Sequence, residues 1–334
     1  MKSSATLVSP ALPPGFVWIF RFDAAGRPES LASMAAPDLQ RVDEGFYWLH
    51  LNLADTRART WIERAALPDD VKTGLIEKAA HQHVETSKDF IWGCFADETR
   101  EFDRTSGGFD FFHFALSERF IITGRRHPLH SVEMTRNALN AGQCIRGTAE
   151  LFETIAGHAV SAVAAHVTDI SKGLEEIEDR VLDDEVHDER KRLGPLRRRA
   201  VKLHRQLSGL QSMLRRLEET SEEEASDDIR DCAAHLLQRV DSLHLEIRSA
   251  QERARLLQDE ITGKIAGETN RHLFVLTMLT TLVLPPTVVA GFFGMNTKNL
   301  VFAESENGTL FAALLCVLSS GIAYWIMRRG GMLR

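Results

Sequence analysis

LFVLTMLTTLVLPPTVVAGFF, residues 273–293, contains no charged side chain, and neither does the stretch from Thr309 to Met327. Each is close to the ~20 residues an α-helix needs to cross the hydrocarbon core of a bilayer. Charge-free runs of that length are hard to place inside a soluble core, so both read as membrane spans. They form a hairpin whose polar connection opens with Gly294-Met295-Asn296. The chemistry of the chain is expected at that turn.

Outward from the hairpin, the composition is that of a soluble protein. Of 334 residues 26% are charged, and the formal net charge is −7. That length leaves room for one or two further domains. Met1 to Pro14 has no basic start leading into a long apolar stretch, so no signal peptide is expected. The residues ahead of Leu273 are therefore expected to stay on the side where they are made. Cys94, Cys144, Cys232 and Cys316 are scattered, without the spacing of a zinc knuckle or a disulfide framework, as in reduced cytoplasm. Lys264 and Arg271 precede the first span, and Arg328, Arg329 and Arg334 follow the second. The connection carries Lys298 against Glu304 and Glu306. The positive-inside rule then places both termini in the cytoplasm and the connection outside.

From Phe16 to about Gly124 short runs rich in aromatic and β-branched residues alternate with turn signals. The runs are Phe16–Phe20, Phe46–Leu51, Phe90–Phe95, Phe111–Leu116 and Phe120–Thr123. Asp23-Ala24-Ala25-Gly26 and Ser106-Gly107-Gly108 mark turns, and Thr56 to Ala80 reads as helical with a break at Leu67-Pro68. The pattern predicts a mixed sheet with helices packed on it. Gly107-Gly108 is isolated and makes no nucleotide fingerprint.

Beyond His127 apolar residues recur at steps of four and three. Thr148 to Asp183 carries Val163, Val167, Ile170, Leu174, Ile177 and Val181. A second helix carries Leu196, Ala200, Leu203, Leu207, Leu210, Leu214 and Leu217. A third carries Ile229, Ala233, Leu236, Val240, Leu243, Ile247, Ala250, Ala254, Leu257 and Ile261. Such seams belong to helix bundles and left-handed coiled coils. No proline falls between Ile229 and Leu273, so the third helix is expected to run unbroken into the membrane, a rod of roughly 100 Å. A rod that long needs neighbours to cover it, which argues for an oligomer.

Leu284-Pro285-Pro286-Thr287-Val288-Val289-Ala290-Gly291-Phe292-Phe293-Gly294-Met295-Asn296 resembles the first transmembrane helix of CorA-type metal ion transporters. Their hallmark is a Gly-Met-Asn motif closing that helix, then a short loop and a last helix near the C-terminus. The resemblance extends to the layout of the whole chain. Two departures favour the ZntB-like zinc-transporting branch over magnesium or cobalt transport. Phe293 stands where magnesium-transporting members usually have Tyr, and Met-Pro-Glu-Leu is missing from Thr297 to Gly308. The branch resemblance implies a homopentamer with a central pore lined by the first span. Asn296 would then be the filter, its amide oxygens holding a hydrated dication loosely enough for release. Gly294 and Asn296 are also ordinary residues for a helix C-cap.

Steps of three and four through the span give one face: Asn270, Leu273, Thr277, Thr280, Leu284, Thr287 and Gly291. Its threonines could hydrogen-bond the water shell of an ion, and Leu273 and Leu284 could form apolar gating rings. The alternative is that the hydroxyls bond back to helix carbonyls. Pro285 and Pro286 each remove a helix hydrogen bond. Lys298, Glu304 and Glu306 would make the pore mouth net acidic in a ring of copies and so enrich cations.

For zinc, His81 and His83 would face one way on a strand and could share an ion, but no third ligand stands at a compelling spacing. His81 and His83, like His127, His130, His158 and His166, therefore read as surface histidines. Asp259 falls on the continued pore stripe and could form a regulatory acidic ring, or be an exposed polar position. The acidic clusters Glu175–Glu185 and Glu222–Asp228 read as solvated helix faces, with a cation-concentrating funnel as the functional alternative. The basic stretch Arg190–Arg205 reads as salt-bridging between helices, not as a nucleic-acid arm.

The fold class expected is an α+β cytoplasmic domain, a mixed β-sheet with helices, followed by long coiled-coil-like stalk helices and two C-terminal transmembrane helices. The boundaries expected are 1–145 for the cytoplasmic domain, 146–271 for the stalk, and 272–296 for the first span. The periplasmic loop follows at 297–308, the second span at 309–328, and a basic tail at 329–334. The function expected is zinc transport across the bacterial inner membrane, the partners being further copies of the chain, lipid and divalent cations. No tightly bound cofactor is expected, and no motif of catalysis is present. Magnesium or cobalt transport is the nearest alternative, and a membrane-anchored coiled-coil scaffold or sensor is the alternative of another class.

Overall fold

The structure, a computed structural model, describes residues 12–31, 36–39, 44–100, 108–186, 188–295 and 308–330. Its first unit is built on a seven-stranded sheet in the order β2-β1-β3-β7-β6-β5-β4. The strands are β1 Phe16–Phe22, β2 Pro28–Ser30, β3 Phe46–Asn52, β4 His83–Ser87, β5 Phe90–Glu98, β6 Phe109–Leu116 and β7 Phe120–Arg125. Every pairing is antiparallel except that of β3 with β7, which makes the sheet mixed as expected. The β1–β2 turn is the Asp23–Gly26 segment. Asp23 Oδ1 accepts from the backbone N–H of Ala25 and Arg27 at 2.9 and 2.8 Å, and Gly26 supplies a φ of 76°.

Alternation along the strands sorts side chains to two faces. One carries Leu49, Leu51, Ala115 and Ile122, buried with Ala58 and Ile62 of α1 (Thr56–Arg64) and Val71 and Leu75 of α2 (Asp69–Ile76). The other face is aromatic. Phe95 and Phe114 meet Phe152 of α4 (Thr148–Leu182) with ring centroids 6.4 and 4.9 Å apart. Asp97 of β5 accepts from Ser131 N and Oγ and so caps the first turn of α3 (His130–Asn140).

Three long helices follow: α4 Thr148–Leu182, α5 Glu189–Glu218 and α6 Asp227–Phe293. Cross-helix bonds set their directions. Arg239–Ser161 and Arg253–Glu178 run α6 parallel to α4, whereas Gln211–Asp241 and Gln251–Ala200 set α5 antiparallel to α6. The predicted seams are buried, with one exception: Leu196 is half-buried, lying over Gly173 of α4, and Leu193 takes the buried position one turn earlier. The acidic cluster of α4 is met by basic partners, Arg253 reaching Glu178 at 2.7 Å and Arg192 reaching Glu176 at 3.0 Å.

The second unit takes in residues 184–190 and 257–334. Helix α6 enters it without a break, and α7, Gly308–Arg329, is the last element. Lys264 pairs with Asp184 at 2.7 Å. Both α6 and α7 carry a stretch long and apolar enough to cross a membrane.

Candidate functional site

Where α6 and α7 meet, the contact is set by what two prolines remove. A proline at i donates nothing to the carbonyl at i−4, so Pro286 frees the carbonyl of Leu282. Ser320 of α7 donates its hydroxyl to that oxygen at 3.3 Å. Cys316, one turn earlier, puts its Sγ 3.5 Å from the Pro286 carbonyl. The α6 residues partly covered here are Met278, Thr281, Pro285, Pro286, Val289 and Phe293. In hydrocarbon no water is available to a freed carbonyl, so a hydroxyl on the neighbouring helix is the natural partner.

The face predicted to line a pore lies elsewhere on α6. Asn270, Leu273, Thr277, Thr280, Leu284, Thr287 and Gly291 are all exposed. At about 100° per residue they centre roughly two-fifths of a turn away from the covered face. Their threonine hydroxyls are not idle. Thr277 donates to Leu273 O at 2.8 Å, Thr280 to Leu276 O at 2.8 Å, and Thr287 to Val283 O at 2.6 Å. Back-bonding uses the single hydroxyl hydrogen and leaves the oxygen's lone pairs outward.

Helix α6 closes on the backbone N–H of Gly294 reaching Ala290 O at 2.9 Å. Gly294 is not among the positive-φ glycines, so it does not make a left-handed cap, and Met295 beyond it is exposed. Asn296, Lys298, Glu304 and Glu306 lie outside the described residues, as do Gly107 and Arg334.

The remaining sequence candidates are distributed without convergence. His81 precedes strand β4 and is not part of it, so the same-face argument from strand alternation does not hold for it. Its ring still lies 5.6 Å from that of His83. His83 Nδ1 sits 3.2 Å from His81 O and 3.4 Å from Cys94 Sγ. Burial pushes the Cys94 thiol up to about 12, which suits a structural cysteine better than a thiolate ligand. Among the described residues no group of three His, Cys, Asp or Glu side chains could hold a metal ion. His158 bonds Thr135, His166 bonds Glu98 at 3.0 Å, and His127 pairs with Asp110 at 2.8 Å. Asp259 is exposed on α6. The features missed from sequence are Ser320 and Cys316; the signal that could have found them is the Pro-Pro pair, whose freed carbonyls require donors.

The CorA-like Mg2+ transporter protein family matches residues 43–329, well over half of the sequence. The chain belongs to that family. Membership makes it one of a family of metal-cation transporters, not enzymes. The zinc transport protein ZntB of Yersinia enterocolitica is 22% identical over 312 residues, 93% of this chain and 94% of that protein. ZntB of Cronobacter sakazakii is 24% identical over 292 residues, 84% of this chain and 86% of that one. Among solved structures, full-length CmaX aligns with a TM-score of 0.80 at 22% identity, covering 96% of this chain and 98% of its own. The CorA magnesium transporter from Methanocaldococcus jannaschii gives 0.75 at 18% identity, covering 94% and 98%. The ZntB cytoplasmic domain from Vibrio parahaemolyticus gives 0.65 at 15% identity, covering 76% and 99%. These likenesses extend the shared fold from the mixed sheet through the apolar hairpin of this CorA-family chain.

Proposed function

We propose that the chain assembles as a homopentamer in the bacterial inner membrane and carries zinc through a central pore lined by the first span. Asn296 forms the filter ring at the end of α6, with Gly294 and Met295 shaping the turn, and Lys298, Glu304 and Glu306 set the charge of the mouth. The cytoplasmic domain comprises residues 1–145, the stalk 146–271 and the spans 272–296 and 309–328. Both termini are cytoplasmic, and the loop 297–308 is periplasmic.

The observation that carries this reading is the division of α6 into two faces just before Gly294-Met295-Asn296. One face meets α7 through Ser320 and Cys316, and the threonine face is left open. Threonine oxygens whose hydrogens are already committed accept from the outward hydrogens of a cation's water shell. Binding of that kind is loose enough for release. The oligomer is supported by α6 itself, which this chain leaves largely uncovered from Thr262 onward. Zinc is favoured by the ZntB relatives and by Phe293 before the motif; magnesium is the second reading, favoured by the family's own description.

The test is flux into liposomes loaded with dyes for zinc or magnesium, comparing wild type with Asn296→Ala under imposed metal and proton gradients. Zinc flux is expected in the wild type and a loss of at least about tenfold in the variant. Magnesium flux with little zinc would transfer the protein to the second reading. Silence toward both ions from folded oligomer would leave a membrane-anchored scaffold.

A further inference from the structure

His204 of α5 and His244 of α6 meet within the first unit, far along the chain from the apolar hairpin. Their ring centroids lie 4.7 Å apart with the planes tilted by 50°. We propose that this pair is a binding site for a divalent transition-metal ion of the zinc class, which clamps α5 to α6. The site does not rest on the transport reading: a chain that moved no ion would bind metal there all the same.

Sequence and register bring the two rings together. His204 follows the buried seam residue Leu203, and His244 follows the buried seam residue Leu243. Each therefore sits on the flank of its seam and is half-buried, turned to the neighbouring helix yet reached by water. Cross-helix bonds bracket the pair and fix the register on both sides. Gln211 of α5 donates to Asp241 of α6 at 2.6 Å, and Gln251 of α6 donates to Ala200 O of α5 at 3.2 Å.

The chemistry follows from what the rings lack. His50, His113, His158 and His166 each bond a fixed partner, namely Thr123, the Gly74 carbonyl, Thr135 and Glu98. His244 Nδ1 is instead buried without a hydrogen-bond partner. A ring nitrogen kept from water and left unpaired costs free energy, so packing alone is a poor reason for the contact. Two imidazoles bound through nitrogen to one tetrahedral ion have ring centroids about 5 Å apart. The spacing here is of that size. Burial, then His244, then Arg248 hold the pKa of His204 below the ordinary 6.5, so its ring keeps a lone pair for a metal at neutral pH. Arg248 repels a dication as it repels a proton, which makes the affinity modest. Among the described residues no third His, Cys, Asp or Glu completes the set, so water takes the remaining positions on the ion. Imidazole nitrogen suits zinc, copper and nickel, whereas magnesium prefers oxygen ligands and holds its water.

The experiment is calorimetric titration of the full-length protein in detergent with zinc chloride and, separately, magnesium chloride, followed by thermal melts with each ion. Wild type is expected to show one more zinc site per chain than His204→Ala or His244→Ala, with zinc at that site weakened at least about tenfold in either variant. The double variant should lose little beyond either single one, because both remove the same site. Zinc should raise the Tm of wild type more than that of the variants, and magnesium should not separate them. Zinc isotherms that coincide in wild type and variants would overturn the proposal and leave a packing contact only. Magnesium binding lost in the same variants would overturn the assignment to a transition metal. If the alanine variants do not fold, His204→Gln and His244→Gln decide. They keep most of the bulk without the imidazole nitrogen, and wild-type zinc binding in both would refute the site.

Discussion

Thr280 and Thr281 are neighbours in sequence with opposite surroundings. Both donate to the carbonyl four residues back, at 2.8 Å, yet Thr280 is exposed on the open face and Thr281 is partly covered on the side toward α7. Replacing a hydroxyl by a methyl preserves shape and removes an acceptor. Thr280→Val is therefore expected to lower metal flux several-fold, and Thr281→Val to leave it near wild type. Equal loss in both would place the pore face wrongly. In the cytoplasmic domain, His50 is fully buried and stacked 4.3 Å from Trp18. Burial first, then the charges of Arg125 and Arg136, hold its pKa well below the ordinary 6.5, and burial depresses His113 as well. In the unfolded chain both imidazoles gain protons below about pH 6.5 while the folded chain binds fewer. Their contribution is thus fully present above that pH and is lost as pH falls through it. Thermal melts at about pH 7.5 and about pH 5.5 should show Tm falling on acidification, with His50→Gln flattening part of the slope. Asp97 has the opposite sign: burial raises it, so its cost to folding appears as pH rises above the ordinary carboxylate range. Of these residues only Thr280 was singled out in the sequence, as part of the expected pore face. The role of His50 depends on a neighbour 32 positions earlier, Trp18, which no local spacing reveals.

Among the elements, the hairpin makes the sharpest prediction. Ser320→Ala leaves the Leu282 carbonyl without its partner in an apolar setting, at an expected cost of about 1 kcal/mol to helix association. Pro286→Ala restores the helix's own bond to that carbonyl. In the double variant the serine should then be dispensable, so a double-mutant cycle of unfolding in detergent should show coupling of that order. Additive effects would mean that the serine packs but does not bond. The elements also show where sequence reading stops. All five predicted runs became strands, while β2 and β4 went unread. These two are the edges of the sheet. Pro28-Glu29-Ser30 has no apolar residue, and His83-Val84-Glu85-Thr86-Ser87 buries only Val84. Edge strands are kept polar, which erases the alternation by which inner strands are recognised. The long helices were legible because each buries one continuous seam, and Leu196 departs only where Gly173 lets α5 approach α4.

For the whole molecule, the proposed assembly turns on what covers α6. Leu245 and Leu256 are 68% and 59% exposed on the helix within a single chain. They lie on the stripe that continues through Asp259 to Asn270 and the threonine face. In the proposed homopentamer they approach their counterparts in other copies. Leu256→Lys is expected to lower the mass measured by light scattering in detergent, while circular dichroism keeps its helical signal. An unchanged mass would remove this stripe from the assembly. The whole-molecule layout was the most legible level of all, because two charge-free runs and a three-residue motif fix the order of parts. Asn296, the proposed filter residue, lies just beyond the described residues.

The back-bonded threonines carry a last consequence for such a pore. Water around a cation turns its hydrogens outward, whereas water around an anion turns its oxygens outward. Thr277, Thr280 and Thr287 have each given their only hydrogen to the helix. A wall of spent donors can greet the first kind of shell and has nothing to offer the second. The span would then tell positive from negative without bearing a charge of its own, by reading which way the water faces.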